Sequence, residues 1–241
     1  MEMPTEMQHQ AMGYDRAATM FSPDGHLLQV EYAEKTVRLG PSSIGIICKE
    51  GVLILADKRI RDKLISHQSA SKVFEVDKHI IVTAAGMSSD ARVLIDQAQI
   101  LAQQNRVTYE SPVEPITIIK MLADRKQYFT QFGGARPYGV SLMLAGVNKG
   151  KAYLYTSDVT GNFFEYKANA IGENDEKVKE ILRKDYKEGM SIDDGIKFGL
   201  KIFKEILGKN FDLSRFEVGY IEIGKEVLHR LEGDALKKFV K

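Results

Sequence analysis

Two apolar runs joined by a short polar turn dominate residues 41–59, whose sequence is PSSIGIICKEGVLILADKR. The runs cover residues 44–48 and 52–56, and the three residues between them end in Gly51. Two strand-like runs joined by a few residues that include glycine indicate a β-hairpin. The second run stops at Asp57, the first of three charged residues. The pattern therefore predicts a hairpin with a polar cluster at its end.

Periodicity divides the chain into groups of strands and helices. Helical spacing predicts helices over residues 26–39, 91–102, 115–132, 174–185, 191–207 and 234–241. Besides the hairpin, strand patterns predict strands over residues 73–76, 79–85, 139–147, 152–156, 163–166 and 216–223. Groups of strands interrupted by helix pairs indicate an α+β fold in which helices cover two sheets, not an alternating parallel sheet. No linker rich in Pro, Gly or Ser interrupts the chain, so we predict a single domain.

A few residues mark the expected helix boundaries. Ser88 or Ser89 is a candidate N-cap for the helix over 91–102, and Pro115 suits the first position of the next helix. Ser191 opens the sequence SIDD, which resembles a capping box. These signals are local, so each predicts a specific position in the structure.

Composition and charge exclude several classes of protein. Lys and Arg total 34 against 33 Asp and Glu, so no net field attracts nucleic acid or an anionic membrane. No apolar run approaches the ~20 residues of a membrane helix, and the N-terminus lacks the pattern of a signal peptide. Cys48 is the only cysteine, which fits a reducing compartment. We expect a cytoplasmic protein that binds neither nucleic acid nor membrane.

No pattern in the sequence points to a metal or a cofactor. The five histidines never pair at the spacing of metal ligands. The glycine-rich segment 133–139 lacks the strand–loop–helix context and the Lys-Ser/Thr pair of a phosphate-binding loop. We therefore predict neither a metal site nor a cofactor.

Four further motifs occur together and are long enough to be specific. They are YDR at 14–16, FSPDG at 21–25, QVEYA at 29–33 and QFGGARPYGVS at 131–141. With these motifs the chain resembles, over nearly its whole length, the α-subunit of the proteasome core particle of the archaeal type. The resemblance implies a four-layer αββα sandwich of the N-terminal-nucleophile hydrolase type. Two antiparallel sheets lie between helix pairs in that fold, and an N-terminal helix packs between neighbouring subunits.

The hairpin at 41–59 also resembles the first hairpin of peptidases that use their own N-terminal threonine as nucleophile. In those enzymes an Asp matching Asp57 and a lysine further along complete the site. Pro41 stands at the threonine position, and an N-terminal nucleophile needs a hydroxyl beside a free amine. We therefore expect no catalytic residue. The alternative is an active hydrolase that exposes Ser42 or Ser43 by cleavage, although the preceding amphipathic helix must then lose its place in the core.

In the proteasome family, α-subunits form a seven-membered ring at each end of a barrel of β-subunits, and their N-terminal tails close the axial pore. The resemblance implies a mobile gating tail over residues 1–13, ahead of one proteasome α-type domain over 14–241. The matches to the family's gate residues at the base of the tail are Tyr14, Asp15, Arg16, Pro23 and Tyr32. The matches to the narrow annulus below the gate are Phe132, Gly133 and Gly134.

The resemblance also implies a docking site for activators, including the hexameric unfolding ATPases. In the family, a lysine between neighbouring subunits binds the C-terminal carboxylate of each activator tail, and Lys72 holds that position. Each tail ends in a hydrophobic residue, a tyrosine and one further residue. Gly86 and Met87 match the backbone and the apolar wall of the pocket, while Gly25 and Glu31 match contacts near the tyrosine of the tail. Without the resemblance, Lys72 would be interpreted as a solvated lysine at a strand edge.

The leading hypothesis is thus a non-catalytic subunit that controls the entry of unfolded proteins for ATP-dependent degradation. The other hypotheses are the processed hydrolase and a ring-forming scaffold or chaperone without proteolytic partners. The chain departs from the common residues of the family at His26, Ala70, Ser71 and Met87. These departures fall near the predicted gate and docking residues.

Overall fold

The computed structural model describes residues 9, 11–60, 62 and 64–240, which form two antiparallel sheets between layers of helices. Each sheet has five strands, and a pair of helices packs on its outer face. The four-layer αββα sandwich implied by the resemblance is confirmed. Within these residues, no helix is both long enough and apolar enough to span a bilayer.

Ten strands lie within the described residues. They are β1 (Ser43–Ile47), β2 (Gly51–Asp57), β3 (Phe74–Asp77), β4 (Ile80–Gly86), β5 (Val140–Asn148), β6 (Lys151–Ser157), β7 (Phe163–Glu165), β8 (Ala168–Ile171), β9 (Phe216–Glu222) and β10 (Leu228–Glu232). Five α-helices accompany them in the same part of the chain. They are α1 (Leu28–Leu39), α2 (Ser88–Tyr109), α3 (Pro115–Gln131), α4 (Asp175–Asp185) and α5 (Ile192–Leu207).

The predicted hairpin is confirmed as β1 and β2 of the first sheet, whose strand order is β10-β9-β2-β1-β8. Ile44 lies opposite Leu55, and Ile47 lies opposite Val52 across the turn. All seven residues of β2 are buried, because this strand lies between β1 and β9 and is covered on both faces. Asp57 therefore lies at the end of a fully buried strand.

Apolar side chains fill the layer between the two sheets. Ile54, Met143 and Leu154 are fully buried there. Gly45 permits the close approach, since a Cβ on it would lie 2.6 Å from Leu154 Cδ1 and 2.7 Å from Met143 Sδ. Any larger residue at position 45 would have to displace the side chains of Leu154 and Met143.

The helix pairs cover the outer faces of the sheets. Helices α2 and α3 pack on the second sheet, whose order is β3-β4-β5-β6-β7, while α4 and α5 pack on the first. On α5 the buried face includes Ile196 and Phe203. A Cβ added to Gly199 on the same face would lie 2.7 Å from Leu55 Cδ2, so α5 lies close against β2.

Helix α1 lies outside these pairs and contacts β4 and β5. It begins at Leu28, two residues later than predicted, because a turn precedes it: Ser22 N donates to His26 O at 2.9 Å, and His26 N donates to Ser22 Oγ at 3.1 Å. After the helix ends, a Cβ on Gly40 would lie 2.4 Å from Gly86 N. The end of α1 thus packs directly on the backbone of β4.

Two of the predicted helix boundaries are confirmed. Pro115 is the first residue of α3. Ser191 caps α5, and its Oγ accepts a hydrogen bond from Asp194 N at 3.1 Å. Pro115 acts through its fixed backbone angle and Ser191 through a hydrogen bond to a residue three positions away, so local sequence was sufficient.

Other predictions along the chain need correction. The N-cap predicted at Ser88 or Ser89 is wrong, because α2 begins at Ser88 and Met87 holds the cap position without a side-chain hydrogen bond. Strands β8 and β10, at the two edges of the first sheet, were not predicted. The charged helix expected near the C-terminus is instead a 3₁₀ helix over Gly233–Phe239, and residue 241 lies outside the described residues.

Candidate functional site

Pro41, the residue predicted to replace a threonine nucleophile, lies two residues before β1. The next hydroxyl, Ser42 Oγ, donates to Glu173 O in the loop before α4. Ser43 is fully buried, and its Oγ lies 3.1 Å from Thr83 Oγ1. Both serine hydroxyls therefore have partners inside the fold, and in the intact chain neither lies beside a free amine.

The carboxylate of Asp57, at the end of β2, is held by an arginine. Asp57 is 1% exposed. Arg215 donates from Nε to Asp57 Oδ1 at 3.2 Å and from Nη2 to Oδ2 at 2.5 Å. The backbone N–H of Arg59 donates to Oδ1 at 2.9 Å. A two-point arginine–carboxylate pair is strong and fixed in geometry, so this carboxylate is committed to Arg215.

Lys72 follows the 3₁₀ turn His67–Ala70 and lies two residues before the start of β3. Burial lowers the pKa of its amine to about 8, the nearby Asp57 carboxylate opposes that shift, and the Arg59 guanidinium adds to it. With such a pKa, roughly nine in ten amines carry a charge at pH 7. Among the described residues, no hydrogen bond or ion pair engages this amine. Lys72 is thus a cation able to accept an anionic ligand.

A cavity of about 590 Å³ opens beside Lys72. Phe74, Ala84 and Ile95 contribute apolar surface to its lining, and Lys72 and Arg59 contribute positive charge. Arg59 already pairs with a glutamate in the loop before α4, whereas Lys72 does not have such a partner within the described residues. The lining therefore suits a ligand that joins a carboxylate to an apolar group.

The five residues predicted to dock activators fall into two groups within one chain. Lys72 and Gly86 line the cavity, and Met87 directly follows Gly86 with a partly exposed side chain. Gly25 and Glu31 do not line this cavity, and they lie in the turn before α1 and in the first turn of α1. The structure thus brings part of the predicted site together and leaves the rest apart.

The predicted gate residues lie around the 3₁₀ turn Tyr14–Arg16. This turn contacts α1, where Gln29 Nε2 donates to Asp15 O at 2.5 Å. Pro23 lies in the turn that precedes α1, and Tyr32 lies on α1 itself. The side-chain oxygen Asp15 Oδ1 is buried and finds no hydrogen-bond partner in the part of the chain that the structure describes. A buried polar atom of this kind is uncommon in folded proteins.

The predicted tail is described at residues 9 and 11–13, and its other residues lie outside the described part of the chain. His9 is buried, and its Nε2 lies 2.8 Å from Asp24 Oδ2 in the turn before α1. Its ring meets that of Tyr14 edge to face, with 6.2 Å between centroids. The described end of the tail therefore contacts both the turn before α1 and the 3₁₀ turn Tyr14–Arg16, which contain four of the predicted gate residues.

The three residues predicted for the pore annulus follow α3 in an exposed loop. Phe132 is 47% exposed and stacks on Tyr128, with 5.3 Å between ring centroids. Gly134 has a φ of 86°, which favours glycine. A Cβ on Gly133 or Gly134 would meet no atom of the described chain within 4 Å. The loop is free to approach another molecule closely.

Three charged residues near Lys72 were not predicted from the sequence. Arg215 holds Asp57, as described above. Glu217 on β9 accepts a hydrogen bond from Lys72 N at 2.8 Å, and Arg230 on β10 donates to Glu217 at 2.6 Å. A glutamate inside the otherwise apolar strand sequence FEVGY was an available signal, because a buried charge in a strand needs a partner.

Lys126 of α3 is a second buried amine, distant in sequence from this cluster. It is fully buried, and its Nζ donates to Ser157 O at 3.1 Å and to Ser157 Oγ at 3.2 Å. Burial lowers the pKa of Lys126 to about 7, and the charge of Asp158 opposes that shift. Lys126 thus ties α3 to the end of β6. Among the described residues, no cluster of three or more His, Cys, Asp or Glu side chains has the arrangement of a metal site.

Comparisons with known proteins cover nearly all of this architecture. A family model described as "Proteasome subunit" matches residues 37–221. A second family model, the N-terminal signature of A-type proteasome subunits, matches residues 14–35. The proteasome alpha subunit of Archaeoglobus fulgidus is 44% identical over 234 residues, which are 95% of this chain and 93% of that protein.

Proteins of the same name from two other archaea are similar to an equal extent. The Methanosarcina acetivorans protein is 42% identical over 230 residues, covering 95% of this chain and 93% of its own length. The Methanoculleus marisnigri protein is 41% identical over 229 residues, covering 95% of each chain. Together with the fold and the two matching family models, these relatives show that the chain belongs to the family of proteasome α-subunits.

Proposed function

We propose that the chain is a non-catalytic subunit in the outer ring of the proteasome core particle. The observation that carries the proposal is Pro41 at the nucleophile position, beside an Asp57 carboxylate that Arg215 already binds. Membership of the family supports a seven-membered ring that stacks on β-subunits in the cytoplasm. In this role the chain controls the entry of unfolded proteins, and the β-subunits hydrolyse them.

The cavity beside Lys72 is the proposed docking site for the C-terminal tails of a hexameric ATPase activator. The Lys72 amine donates a charge-assisted hydrogen bond to the terminal carboxylate, and Gly86 and Met87 form the adjacent wall. Gly25 and Glu31 lie apart from Lys72 within one chain, which supports a site that a neighbouring copy of the chain completes.

The N-terminal tail over residues 1–13 is the proposed gate of the pore, with the annulus at Phe132, Gly133 and Gly134 below it. Tyr14, Asp15, Arg16, Pro23 and Tyr32 form its base. The buried Asp15 Oδ1 supports this assignment, because it has no partner within the described residues and an unsatisfied buried oxygen is costly. A second arrangement of the turn, or a contact with a neighbouring subunit, would supply the missing hydrogen bond.

The test is to purify the chain alone and with proteasome β-subunits, and to measure particle mass, intact chain mass and hydrolysis of fluorogenic peptides. We expect ring-sized particles, an unprocessed chain in which Pro41 stays internal, and hydrolysis only with β-subunits present. Hydrolysis by the chain alone, with a new N-terminus at Ser42 or Ser43, would establish the hydrolase instead. Rings that never bind β-subunits would establish a scaffold without proteolytic partners.

A further inference from the structure

We infer that Glu217, assisted by Arg230, positions Lys72 for docking of the activator's carboxylate. The inference rests on the docking function proposed above. Neither Glu217 nor Arg230 lines the cavity, so both act on the ligand through Lys72. They are positioning residues, and their effect depends on the backbone that carries the lysine.

The backbone of Lys72 lies just outside the sheet and needs hydrogen-bond partners of its own. The pairing of β3 with β4 begins at Phe74, which lies opposite Val82. Lys72 and Val73 precede that first pair, so the β3–β4 ladder does not supply acceptors for their N–H groups. Buried backbone donors are nearly always paired, which means that another group must take this role.

The carboxylate of Glu217 accepts the hydrogen bonds of these backbone N–H groups. Its Oε2 accepts hydrogen bonds from Lys72 N at 2.8 Å and from Val73 N at 3.4 Å, and its Oε1 accepts one from Ser71 Oγ at 2.8 Å. Glu217 is 3% exposed, so water competes little for these bonds. One buried side chain thus fixes three consecutive residues, with Lys72 in the middle.

Arg230 completes the arrangement from the neighbouring strand β10. Its Nη1 donates to Glu217 Oε1 at 2.6 Å, to Val73 O at 2.7 Å and to Ser71 Oγ at 3.1 Å. The guanidinium neutralises the buried carboxylate and also binds the carbonyl of the segment that the carboxylate holds. Removal of either partner would leave the other group without its counter-ion.

Packing on β9 holds the same segment independently. Val73 is fully buried, and a Cβ on Gly219 would lie 2.6 Å from Val73 Cγ1, so the segment rests directly on the strand. Phe216 of β9 pairs with Asp57 at the end of β2. The same strand therefore sets the positions of both Lys72 and Asp57, whose charges attract each other.

A long, flexible lysine side chain reaches a ligand reliably when its backbone is fixed. Four methylene groups separate the amine of Lys72 from its Cα, so a displaced backbone lets the amine occupy many positions. Loss of Glu217 is therefore expected to weaken recognition of a carboxylate specifically. Apolar contacts of the same ligand in the cavity should change much less.

The experiment compares two peptides on particles assembled with β-subunits. Both end in a hydrophobic residue, a tyrosine and one further residue, and one carries a free carboxylate while the other is amidated. In the wild type the free carboxylate is expected to lower the Kd by about ten- to a hundredfold relative to the amide. Glu217→Ala should bring this ratio close to one, and Glu217→Gln should give an intermediate ratio because it keeps an acceptor for Lys72 N.

The matched control is Asp77, at the other end of β3. It is also a buried carboxylate, 5% exposed, and Arg106 binds it at 2.7 and 2.8 Å. Asp77 does not line the cavity. Asp77→Ala should therefore lower the free energy of unfolding in the same way as Glu217→Ala, while the ratio of the two Kd values stays at the wild-type level.

Lys72→Ala separates failure of this inference from failure of the docking proposal. If Lys72→Ala leaves the carboxylate preference intact, the docking site is wrong. If Lys72→Ala removes the preference but both Glu217 variants keep it in full, the positioning role is overturned. If Glu217→Ala does not assemble, Glu217→Gln provides the test. It should show faster hydrogen exchange at the Lys72 amide and a reduced preference for the free carboxylate over the amide. Wild-type values for both measurements would overturn the inference.

Discussion

Replacing Lys72 with alanine should abolish opening by activators while leaving the particle and its basal peptidase rate almost unchanged. A charge-assisted hydrogen bond to a carboxylate contributes about 1.5–3 kcal/mol. Its loss would weaken each tail by about ten- to a hundredfold. In the proposed complex several tails bind one ring, so the losses would compound and docking should collapse.

The lowered pKa of Lys72 makes the same interaction depend on pH. Docking needs the charged amine, and burial lowers the pKa from 10.5 to about 8. The amine is therefore charged below pH 8 and loses its charge as the pH rises through that value. A bound carboxylate favours the charged form and raises the pKa again, so the midpoint for docking should lie above about 8. Stimulation should be full near neutral pH and should decline in alkaline buffer.

The assay titrates a peptide with a free carboxylate into assembled particles and follows hydrolysis of a fluorogenic substrate. Lys72→Arg keeps its charge throughout and should lose the alkaline decline, whereas Lys72→Met has no charge at any pH. If Lys72 were a solvated lysine, Lys72→Ala would change the free energy of unfolding by less than about 0.5 kcal/mol and affect nothing else. Equal stimulation of wild type and Lys72→Ala would refute the reasoning.

Three further outcomes are expected. Deleting residues 2–13 should speed hydrolysis of unfolded proteins more than that of short peptides. Particle assembly should remain intact because α1 is kept. Equal hydrolysis rates for the deletion variant and the wild type would mean that the tail is not a gate. Arg215→Ala should lower the free energy of unfolding by about 1–3 kcal/mol in denaturant titrations, because the buried Asp57 carboxylate loses two hydrogen bonds and keeps only its contacts with Arg59, and adding Asp57→Asn should recover much of the loss. Burial lowers the pKa of Lys126 from 10.5 to about 7. At pH values between these two pKa values the unfolded state binds more protons than the folded state, so the free energy of unfolding should rise with pH. Lys126→Met should remove this slope, and a slope that persists would assign it to other groups.

Sequence patterns predicted the elements whose burial repeats regularly. The hairpin of β1 and β2 and the helices α3 and α5 present continuous or periodic apolar residues, since each is covered by neighbours along its length. Strands β8 and β10 were not predicted because their sequences carry a weak strand signal. Strand β8 has the sequence ANAI, which contains one β-branched residue and no aromatic one. The burial of β10 is at most partial along its length, so its sequence LHRLE carries no clear strand period.

The site was predictable in one part and not in another. Family resemblance gave the nucleophile position at Pro41 and the importance of Lys72, whereas the lack of a nucleophile follows from the proline side chain, which has no hydroxyl. Glu217 on β9 of the first sheet lies 145 residues from Lys72, which precedes β3 of the second sheet, so the packing of the two sheets brings them together. No local pattern encodes that pairing. A glutamate inside an apolar strand indicates that a partner exists, but the topology decides which one.

The arginine on Asp57 has a consequence for how such a chain evolves. A change from Pro41 to threonine would restore a hydroxyl, yet Arg215 would still bind Asp57 and the Ser42 hydroxyl would still bind Glu173. Loss of Arg215 on its own would remove two hydrogen bonds from a buried carboxylate before any activity was gained. The first of these changes thus leaves Asp57 bound to Arg215, and the second costs stability, so the Arg215–Asp57 pair opposes a stepwise return to catalysis. In the outer ring proposed above, this would keep peptide-bond cleavage away from the point where substrates enter.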